Sequence, residues 1–450
     1  MKRVKLSRLS AAVCLATALS LALSSCTLTG FSVEGALTAP KLSEQQSEIH
    51  KALISSVGGG ITLKYPRNGE NRSAYVIANI DNEPDNEALV FYQYNSVING
   101  SEGIRLNLLD TDSEGNWYSV KELAGAGTDV DKVMISYEGG SRAANIVVGY
   151  QNIGISDKTF EIYRYKDGGF DRVGGSNYTI LEAADLDGDG YKNFITVHSS
   201  VDENGLPSGS FASLLRLDGK EIDAKDTISM CDNTVDYTKS TVGRLEDNSV
   251  AMYVDGLNSK GELQTEVLFY RYGALQNPIA QRQSKLAPQT ARLAGYYCTD
   301  IDNDGAVEIP HTVVMKGYDN ISPEERLYKT EWLVYKDFYT LEQKLSGFYS
   351  LADGYFMSFL SRWGDEVTVK KDSVTGEYVF YKYTGDISAE MTELMRIAAE
   401  SKNDSGHYLD DGYEIIASKG QIDYLIKLPM VQREALIPTL DEVKNSFYIV

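Results

Sequence analysis

The chain has 450 residues and a formal net charge of −21, because 64 Asp and Glu residues outnumber 43 Lys and Arg residues. This length is enough for two or three domains with a sizeable hydrophobic core. A hydrophobic content of 42% excludes wholesale disorder, and the acidic balance argues against nucleic acid or an anionic membrane surface as a partner. The acidic excess suits a chain that binds cations, and 30 Tyr residues suggest many half-buried strands.

The N-terminal residues form a predicted secretory signal. A positively charged start at residues 2–8 precedes an apolar stretch at residues 9–23, which is the pattern of a signal peptide and too short for a good transmembrane span. The stretch ends in Leu23-Ser24-Ser25-Cys26, which resembles the lipobox of bacterial lipoproteins. That resemblance implies that residues 1–26 are a lipoprotein signal, that Cys26 carries the lipid, and that the protein is extracytoplasmic and lipid-anchored to the bacterial cell membrane.

Residues 27–59 are rich in Thr, Ser and Gly and are predicted to be a tether with a short helix near Glu44–Val57. Two cysteines remain beyond the signal and Cys26, namely Cys231 and Cys298. A disulfide and two separately buried thiols are both compatible with their spacing. No Cys-x-x-Cys sequence exists, so zinc and thioredoxin chemistry find no support.

An apolar strand recurs through the middle of the chain at intervals of roughly 50–60 residues, a period that indicates a β-propeller. The five copies cover residues 88–92, 145–149, 193–197, 250–254 and 307–311. A second strand follows each copy, so each unit is predicted to be one blade of three or four short antiparallel strands. Two sandwich domains are the competing interpretation, and the regular spacing favours the propeller.

Two of these units place the motif Asp-x-Asp-x-Asp-Gly immediately before the recurring strand, with a further oxygen-bearing side chain at position 9. The oxygen donors are Asp185, Asp187, Asp189 and Asn193 in one loop, and Asp300, Asp302, Asp304 and Glu308 in the other. Ca²⁺ needs six to eight oxygen ligands, and alternate residues of a tight loop converge on one point. The sequence therefore predicts two calcium sites.

A third, degenerate loop precedes the strand at residues 88–92. It offers Asn79, Asp81, Glu83 and Glu87 at the same four positions. Pro84 replaces the glycine of position 6 and cannot make the same turn. Calcium binding is therefore a weaker expectation for this loop than for the other two.

These loops and strands resemble the FG-GAP/VCBS repeats of the integrin α-subunit propeller and its bacterial relatives, over about residues 60–345. The resemblance implies a mainly β chain built on an FG-GAP-type β-propeller, with Ca²⁺ bound by the two sets of side chains above and by the backbone carbonyls of Tyr191 and Ala306. The chain shows five recognisable blades, whereas seven are usual in integrins. Further blades or a smaller ring would explain the difference, and residues 59–67 could supply a closing strand.

The pattern changes from about residue 351. Strands are predicted near residues 354–359, 366–369, 378–383, 413–417 and 422–428, with an amphipathic helix from Asp386 to Ala398. We expect residues 60–350 to form the propeller and residues 351–450 to form a small α+β module. Strands that complete the propeller, together with one inserted helix, are the alternative.

No catalytic motif stands out. The four histidines, His50, His198, His311 and His407, show no ligand spacing, and neither Gly-x-Ser-x-Gly nor a phosphate-binding loop is present. We therefore expect a non-enzymatic, calcium-stabilised binding protein at the cell envelope, monomeric, with an unknown protein or cell-wall ligand and no nucleic acid. The alternative is a surface enzyme or carbohydrate-binding protein that acts on envelope or extracellular polysaccharide.

Overall fold

The computed structural model describes residues 42–95, 103–137, 144–152, 158–166, 169–199, 202, 208–216, 223–280, 287–337, 340–430 and 434–450. Residues 42–52 belong to one unit of the chain, and the described residues from 53 to 450 belong to a second, compact unit. Helix α1 covers Glu44–Val57, as predicted. The lipoprotein signal, Cys26 and residues 27–41 of the tether lie outside the described residues. Within the described residues, no helix combines the length and the apolar character needed to cross a membrane.

Residues 61–229 form three antiparallel sheets in chain order. The first sheet contains β1 to β5, which cover Ile61–Leu63, Tyr75–Ala78, Glu87–Tyr94, Arg105–Thr111 and Trp117–Ala124. The second contains β6 to β9, which cover Asp129–Ser136, Asn145–Gln151, Lys158–Lys166 and Gly169–Tyr178. The third contains β10 to β13, which cover Ile180–Ala184, Asn193–His198, Phe211–Arg216 and Asp223–Ser229. Each sheet pairs its strands in chain order, except that β1 and β2 both pair with β3.

Residues 234–449 form three more antiparallel sheets. The fourth contains β14 to β17, which cover Thr234–Arg244, Val250–Asn258, Leu263–Arg271 and Ala274–Gln276. The fifth contains β18 to β21 and β27, which cover Ile309–Val314, Tyr328–Asp337, Thr340–Ser350, Tyr355–Ser358 and Phe447–Ile449. The sixth contains β22 to β26, which cover Val367–Lys371, Tyr378–Lys382, Thr392–Ser401, Glu414–Lys419 and Ile422–Lys427.

Short helices join some of these strands. Helix α2 covers Gly406–Asp410 and helix α3 covers Leu440–Ser446. Three single-turn 3₁₀ helices cover Pro278–Ala280, Ala287–Thr290 and Ser361–Trp363. Thr439 caps α3 in a capping box with Glu442, which satisfies two backbone N–H groups at the start of that helix.

Consecutive sheets pack against each other through shared apolar clusters. The five interfaces, from the first pair of sheets to the last, contain Phe91 with Val148, Phe160 with Phe194, Leu214 with Met252, Phe269 with Tyr335, and Phe348 with Phe380. Strands of a sheet that is buried on both faces have continuous apolar sequences rather than an alternation of apolar and polar residues. Strand β3 illustrates this, since its residues from Glu87 to Tyr92 are all buried. The stack of four- and five-stranded sheets is consistent with a β-propeller-like fold.

The five recurring strands are confirmed as β3, β7, β11, β15 and β18, and a sixth sheet follows them. The amphipathic helix expected from Asp386 to Ala398 is wrong, because Thr392–Ser401 is strand β24. A bulge opposite Phe380 and Tyr381 makes Leu394 an extra residue of that strand. Both Leu394 and Met395 are therefore buried, and their spacing from Ala398 imitates helical periodicity.

The expected boundary between the propeller and the C-terminal module, at residue 350, lies between two strands that pair with each other. Strand β20 ends at Ser350 and pairs with β21, and β21 in turn pairs with β27 near the C-terminus. The fifth sheet thus combines strands from both sides of residue 350. The strand at Ile61–Leu63 lies in the first sheet, beside β3. The division into a propeller over residues 60–350 and a separate module stays a prediction.

Candidate functional site: acidic loops and a polar cavity

The loop between β10 and β11 is a tight turn that wraps its own backbone amides around carboxylates. Ala184 pairs with Asn193 and closes its base. The amides of Gly188 and Gly190 donate to Asp185 at 2.8 Å and 3.0 Å. Both glycines have positive φ, 74° and 91°, a conformation that glycine adopts at little cost. The spacing of the motif therefore produces the loop that the sequence predicts.

This loop brings three predicted ligands together. One carboxylate oxygen from each of Asp185, Asp187 and Asp189 lies within 4.8 Å of the others, so the triad could hold a metal ion. Asn193 follows at position 9 with 1% exposure, and neither atom of its amide has a hydrogen-bond partner among the described residues. Such a buried polar group is costly unless it is satisfied. A hard cation contacting the amide oxygen would satisfy that oxygen, so the oxygen donors of this loop fit Ca²⁺. Tyr191 contributes an amide that donates to Asp189 at 2.8 Å.

The loop before β18 repeats this arrangement. The amides of Asp304 and Gly305 donate to Asp300 at 3.1 Å and 2.9 Å, and the amide of Ala306 donates to Asp304 at 2.9 Å. Asn303 and Gly305 have positive φ, 60° and 93°. Oxygens of Asp300, Asp302 and Asp304 again lie within 4.8 Å of one another, so this triad too could hold a metal ion by its spacing.

A lysine that the sequence analysis missed lies among these carboxylates. The ammonium nitrogen Nζ of Lys344, on β20, is 3.0 Å from Asp302 Oδ1, 2.6 Å from Asp304 Oδ2 and 2.7 Å from Glu308 Oε1. Lys344 lies 36 residues beyond Glu308 in the sequence, so a local motif could not predict this contact. Burial opposes its charge, but the three carboxylates outweigh burial and raise the pKa of Lys344.

Glu308 is fully buried at the centre of this contact. Desolvation raises its pKa to about 7, although the ammonium of Lys344 and the amide of Ile301 favour the carboxylate. The same ammonium lowers the pKa of the more exposed Asp304. The loop thus contains a buried acid whose charge depends on the cation beside it.

The degenerate loop before β3 keeps the turn without the triad. Within the described residues, the clusters of three close carboxylates come from the third and fifth sheets and not from this loop. Glu87 accepts the amides of Ile80 and Asp81 at 2.5 Å and 3.2 Å, and burial raises its pKa to about 7. Asn79 donates to the backbone oxygen of Glu83. These side chains stabilise the loop by hydrogen bonds within it.

A polar cavity of about 310 Å³ lies beside strands β2, β6 and β10 of the first three sheets. Its charged and polar lining consists of Glu70, Asn71, Lys132, Tyr137, Glu182 and Lys192. Lys132 Nζ is 3.0 Å from Glu182 Oε1, and Ser240 donates to the same carboxylate oxygen at 2.7 Å. Sequence reasoning missed these residues, because only the sheet order brings positions about 50 residues apart to one cavity.

Two histidines of the sheets and two tryptophans have structural surroundings. His198 stacks on Phe211 with 4.7 Å between ring centroids, and burial lowers its pKa. His311 Nδ1 lies 3.1 Å from the backbone oxygen of Ala291. Trp332 and Trp363 are fully buried. These contacts explain the four residues by packing and hydrogen bonding.

No protein-family model matches the chain. No curated protein matches it either. The resemblance to FG-GAP/VCBS repeats therefore stays a prediction from the loops and strands.

Three of the similar solved structures match between 65% and 74% of the chain. The rhamnogalacturonan lyase YesW is 12% identical, with a TM-score of 0.29, and the match covers 74% of this chain and 76% of that one. A rhamnogalacturonan lyase from Bacillus licheniformis is 11% identical, with the same TM-score and the same coverage of each chain. TolB from Acinetobacter baumannii is 11% identical, with a TM-score of 0.23, and the match covers 65% of this chain and 62% of that one.

Proposed function

We propose that the chain is a lipid-anchored, extracytoplasmic binding protein whose FG-GAP-type, β-propeller-like sheets hold a polar ligand of the cell envelope. The observation that carries this proposal is the cavity beside strands β2, β6 and β10, where Lys132 and Glu182 form an ion pair. Ligand sites are concave and use a few convergent polar groups to orient what they bind. A protein loop or a cell-wall segment with neutral or mixed polar groups suits this lining.

The charges of the cavity favour a ligand that both donates and accepts hydrogen bonds. Lys132 and Glu182 remain partly accessible, with 12% and 26% of their side chains exposed. Lys192 Nζ lies 3.9 Å from Glu70 Oε1, so the cavity contains a second pair of opposite charges. A strongly anionic ligand would meet one carboxylate for every ammonium group. Hydroxyl-rich or zwitterionic groups match the lining better.

The proposal includes one structural calcium ion, held by Asp185, Asp187, Asp189 and Asn193 with the carbonyl of Tyr191. Its support is the buried, unpartnered amide of Asn193 beside the aspartate triad. The ion would fasten the start of β11 to the loop, because Asn193 is the first residue of that strand. It would act on the stability of the loop and of the third sheet.

Retention of envelope material on the full-length tagged protein tests the binding function. We expect Lys132→Met and Glu182→Gln to reduce retention by about tenfold or more, since a charge-assisted hydrogen bond contributes roughly 1.5–3 kcal/mol. Lys336→Met is the matched control, because Lys336 pairs with Glu342 on the exposed surface of the fifth sheet. Equal retention by all variants would contradict the cavity as the binding site. Turnover of envelope glycans by the wild type, lost in the cavity variants, would instead identify an enzyme.

The lipid anchor has its own test. Cys26→Ala should move the protein from the membrane fraction to the soluble fraction, because the acyl chains attached there supply the membrane affinity. Cys14→Ala is the matched control, since this residue lies inside the predicted signal and leaves with it. Continued membrane fractionation of Cys26→Ala would contradict the anchor.

A further inference from the structure

The ammonium group of Lys344 contacts three of the four side chains that the sequence assigns to calcium in the fifth sheet. These are Asp302, Asp304 and Glu308, at positions 3, 5 and 9 of the loop, each within 3.0 Å of Nζ. An ammonium group has three N–H donors, so each donor meets one carboxylate. The fourth side chain, Asp300, accepts two backbone amides instead.

The remaining oxygens of the loop are also engaged. Glu308 Oε2 accepts the amide of Ile301 at 2.9 Å, and Asp304 Oδ1 accepts the amide of Ala306 at 2.9 Å. Glu308 is fully buried, and 22% of the Lys344 side chain is exposed. A buried carboxylate without a cation beside it is strongly destabilising. Lys344 therefore supplies the positive charge that this loop needs.

The strand pairing explains how Lys344 reaches the loop. Trp332 pairs with Leu345 and Leu333 pairs with Gln343, so Lys344 is the extra residue of a β-bulge in β20. Leu333 also pairs with Ile309, the residue that follows Glu308. The bulge thus lies level with position 9 of the acidic loop, and a bulge re-aims a side chain.

A bulge at the same register position recurs in other sheets. The type of the extra residue in each bulge correlates with the presence of an aspartate triad in the acidic loop of that sheet. In the third sheet the extra residue is Lys225, whose side chain lies outside the described part of the chain. In the first and second sheets, which lack the Asp-x-Asp-x-Asp-Gly motif, it is Val120 and Val173. Lysine therefore occupies this position in the two sheets whose loops carry an aspartate triad.

We infer that Lys344 is the resident cation of the fifth-sheet loop and replaces the calcium ion that such loops hold in the family it resembles. Its ammonium ties positions 3, 5 and 9 of the loop to β20. A divalent ion does not fit beside it, because two further positive charges within a few ångströms of Nζ meet strong repulsion. The loop is therefore held to β20 without a metal ion. Removing the Lys344 ammonium group leaves a set of carboxylates that can bind calcium. This inference is independent of the proposed binding function.

Thermal unfolding of the full chain with and without Ca²⁺ tests the inference, in a background of Asp187→Ala that disables the third-sheet loop between β10 and β11. With Lys344 intact, we expect EDTA and about 5 mM Ca²⁺, a saturating level for extracellular calcium modules, to give the same midpoint. Lys344→Met should lower the midpoint in EDTA, and Ca²⁺ should restore part of the loss. Adding Glu308→Gln to Lys344→Met should abolish that recovery.

Two variants make the result specific. Lys344→Arg keeps the positive charge and should gain no response to Ca²⁺. Lys336→Met removes an exposed lysine from the neighbouring strand of the same sheet and should gain none either. A Ca²⁺-dependent rise in midpoint with Lys344 intact, abolished by Asp302→Asn, would overturn the inference. So would a Lys344→Met protein that keeps its midpoint in EDTA. If Lys344→Met does not fold, Ca²⁺ binding to the protein with Lys344 intact is measured by calorimetric titration instead. Binding that depends on Asp302 would overturn the inference, and the absence of such binding would support it.

Discussion

Arg292 and Asp255 form an ion pair that is withdrawn from solvent, with 2.6 Å between Arg292 Nη2 and Asp255 Oδ1 and side chains that are 0% and 1% exposed. Arg292 also donates to the side chain of Thr265 and to the backbone of Thr290, at 2.8 Å and 2.9 Å. The amide of Cys298 donates to the other carboxylate oxygen at 3.0 Å. These bonds tie the segment before β18 to strands β15 and β16 of the fourth sheet.

Breaking this ion pair should lower the free energy of unfolding strongly. Arg292→Met leaves Asp255 buried and uncompensated, which typically costs about 3–5 kcal/mol. Urea unfolding should therefore show a large loss of stability. Arg271→Met is the matched control, because the pair of Arg271 with Asp247 is partly exposed and is expected to contribute less than about 1 kcal/mol. Similar losses in both variants would contradict a special role for the buried pair.

Cys231 and Cys298 should behave as two unreactive thiols. Both are free and buried. Burial raises the pKa of each thiol, and nearby Glu266 and Asp255 respectively raise it further. Since the thiolate is the reactive form, a chain with Cys14→Ser and Cys26→Ser should react with a thiol reagent at pH 8 only slowly when folded, and with two equivalents when unfolded. Zero equivalents in denaturant without reductant would indicate a disulfide.

Asp131 should make stability depend on pH in the acidic range. Burial alone would raise its pKa, but hydrogen bonds from Tyr178 at 2.6 Å and Asn68 at 2.7 Å, with Lys158 at 3.1 Å, lower it below the ordinary value. The folded state therefore favours the carboxylate. Its contribution is complete above the pKa of the unfolded chain, about 3.9, and is lost as pH falls through the lower folded value.

Comparison of the wild type with Asp131→Asn measures this contribution. The stability difference should be about 2 kcal/mol at neutral pH, typical for hydrogen bonds to a charged group. It should shrink as pH falls below about 4. Asp171→Asn, which alters an exposed pair with Lys121, serves as the control and should show little difference at any pH. A gap between wild type and Asp131→Asn that stays constant down to pH 2 would contradict the lowered pKa.

The recurring strands and the acidic loops could be predicted from the sequence because their signals are local. Apolar runs such as residues 88–92 and 145–149 mark strands buried on both faces, and the Asp-x-Asp-x-Asp-Gly spacing fixes the loop. The helix expected over residues 386–398 was wrong because a bulge at Leu394 disrupts the alternation of a strand. Periodicity cannot distinguish a bulged strand from a helix without the pairing partner.

The residues that complete each site could not be predicted, because they depend on register between distant strands. Lys344 reaches Glu308 only through the bulge in β20. Lys132 and Glu182 meet across two sheets at the cavity. The sequence predicted calcium in both the Glu308 loop and the Asn193 loop, because both carry oxygen-bearing side chains at the same four positions. The structure adds the ammonium group of Lys344, which competes with a metal ion in the Glu308 loop.

The third-sheet loop should respond to calcium, and Lys225 should weaken that response. We expect Ca²⁺ to raise the thermal midpoint of the wild type, by linkage to binding at Asp185, Asp187, Asp189 and Asn193, and Asp187→Ala to abolish the rise. Lys225 holds the register position of Lys344, so Lys225→Met removes a positive charge from this sheet and should lower the Ca²⁺ concentration needed for half of the rise. Val173→Ala, at the same bulge of the second sheet, should leave that concentration unchanged. If Ca²⁺ left the thermal midpoint of the wild type unchanged but raised that of Lys225→Met, the result would mean that lysine replaces the metal in this loop as well.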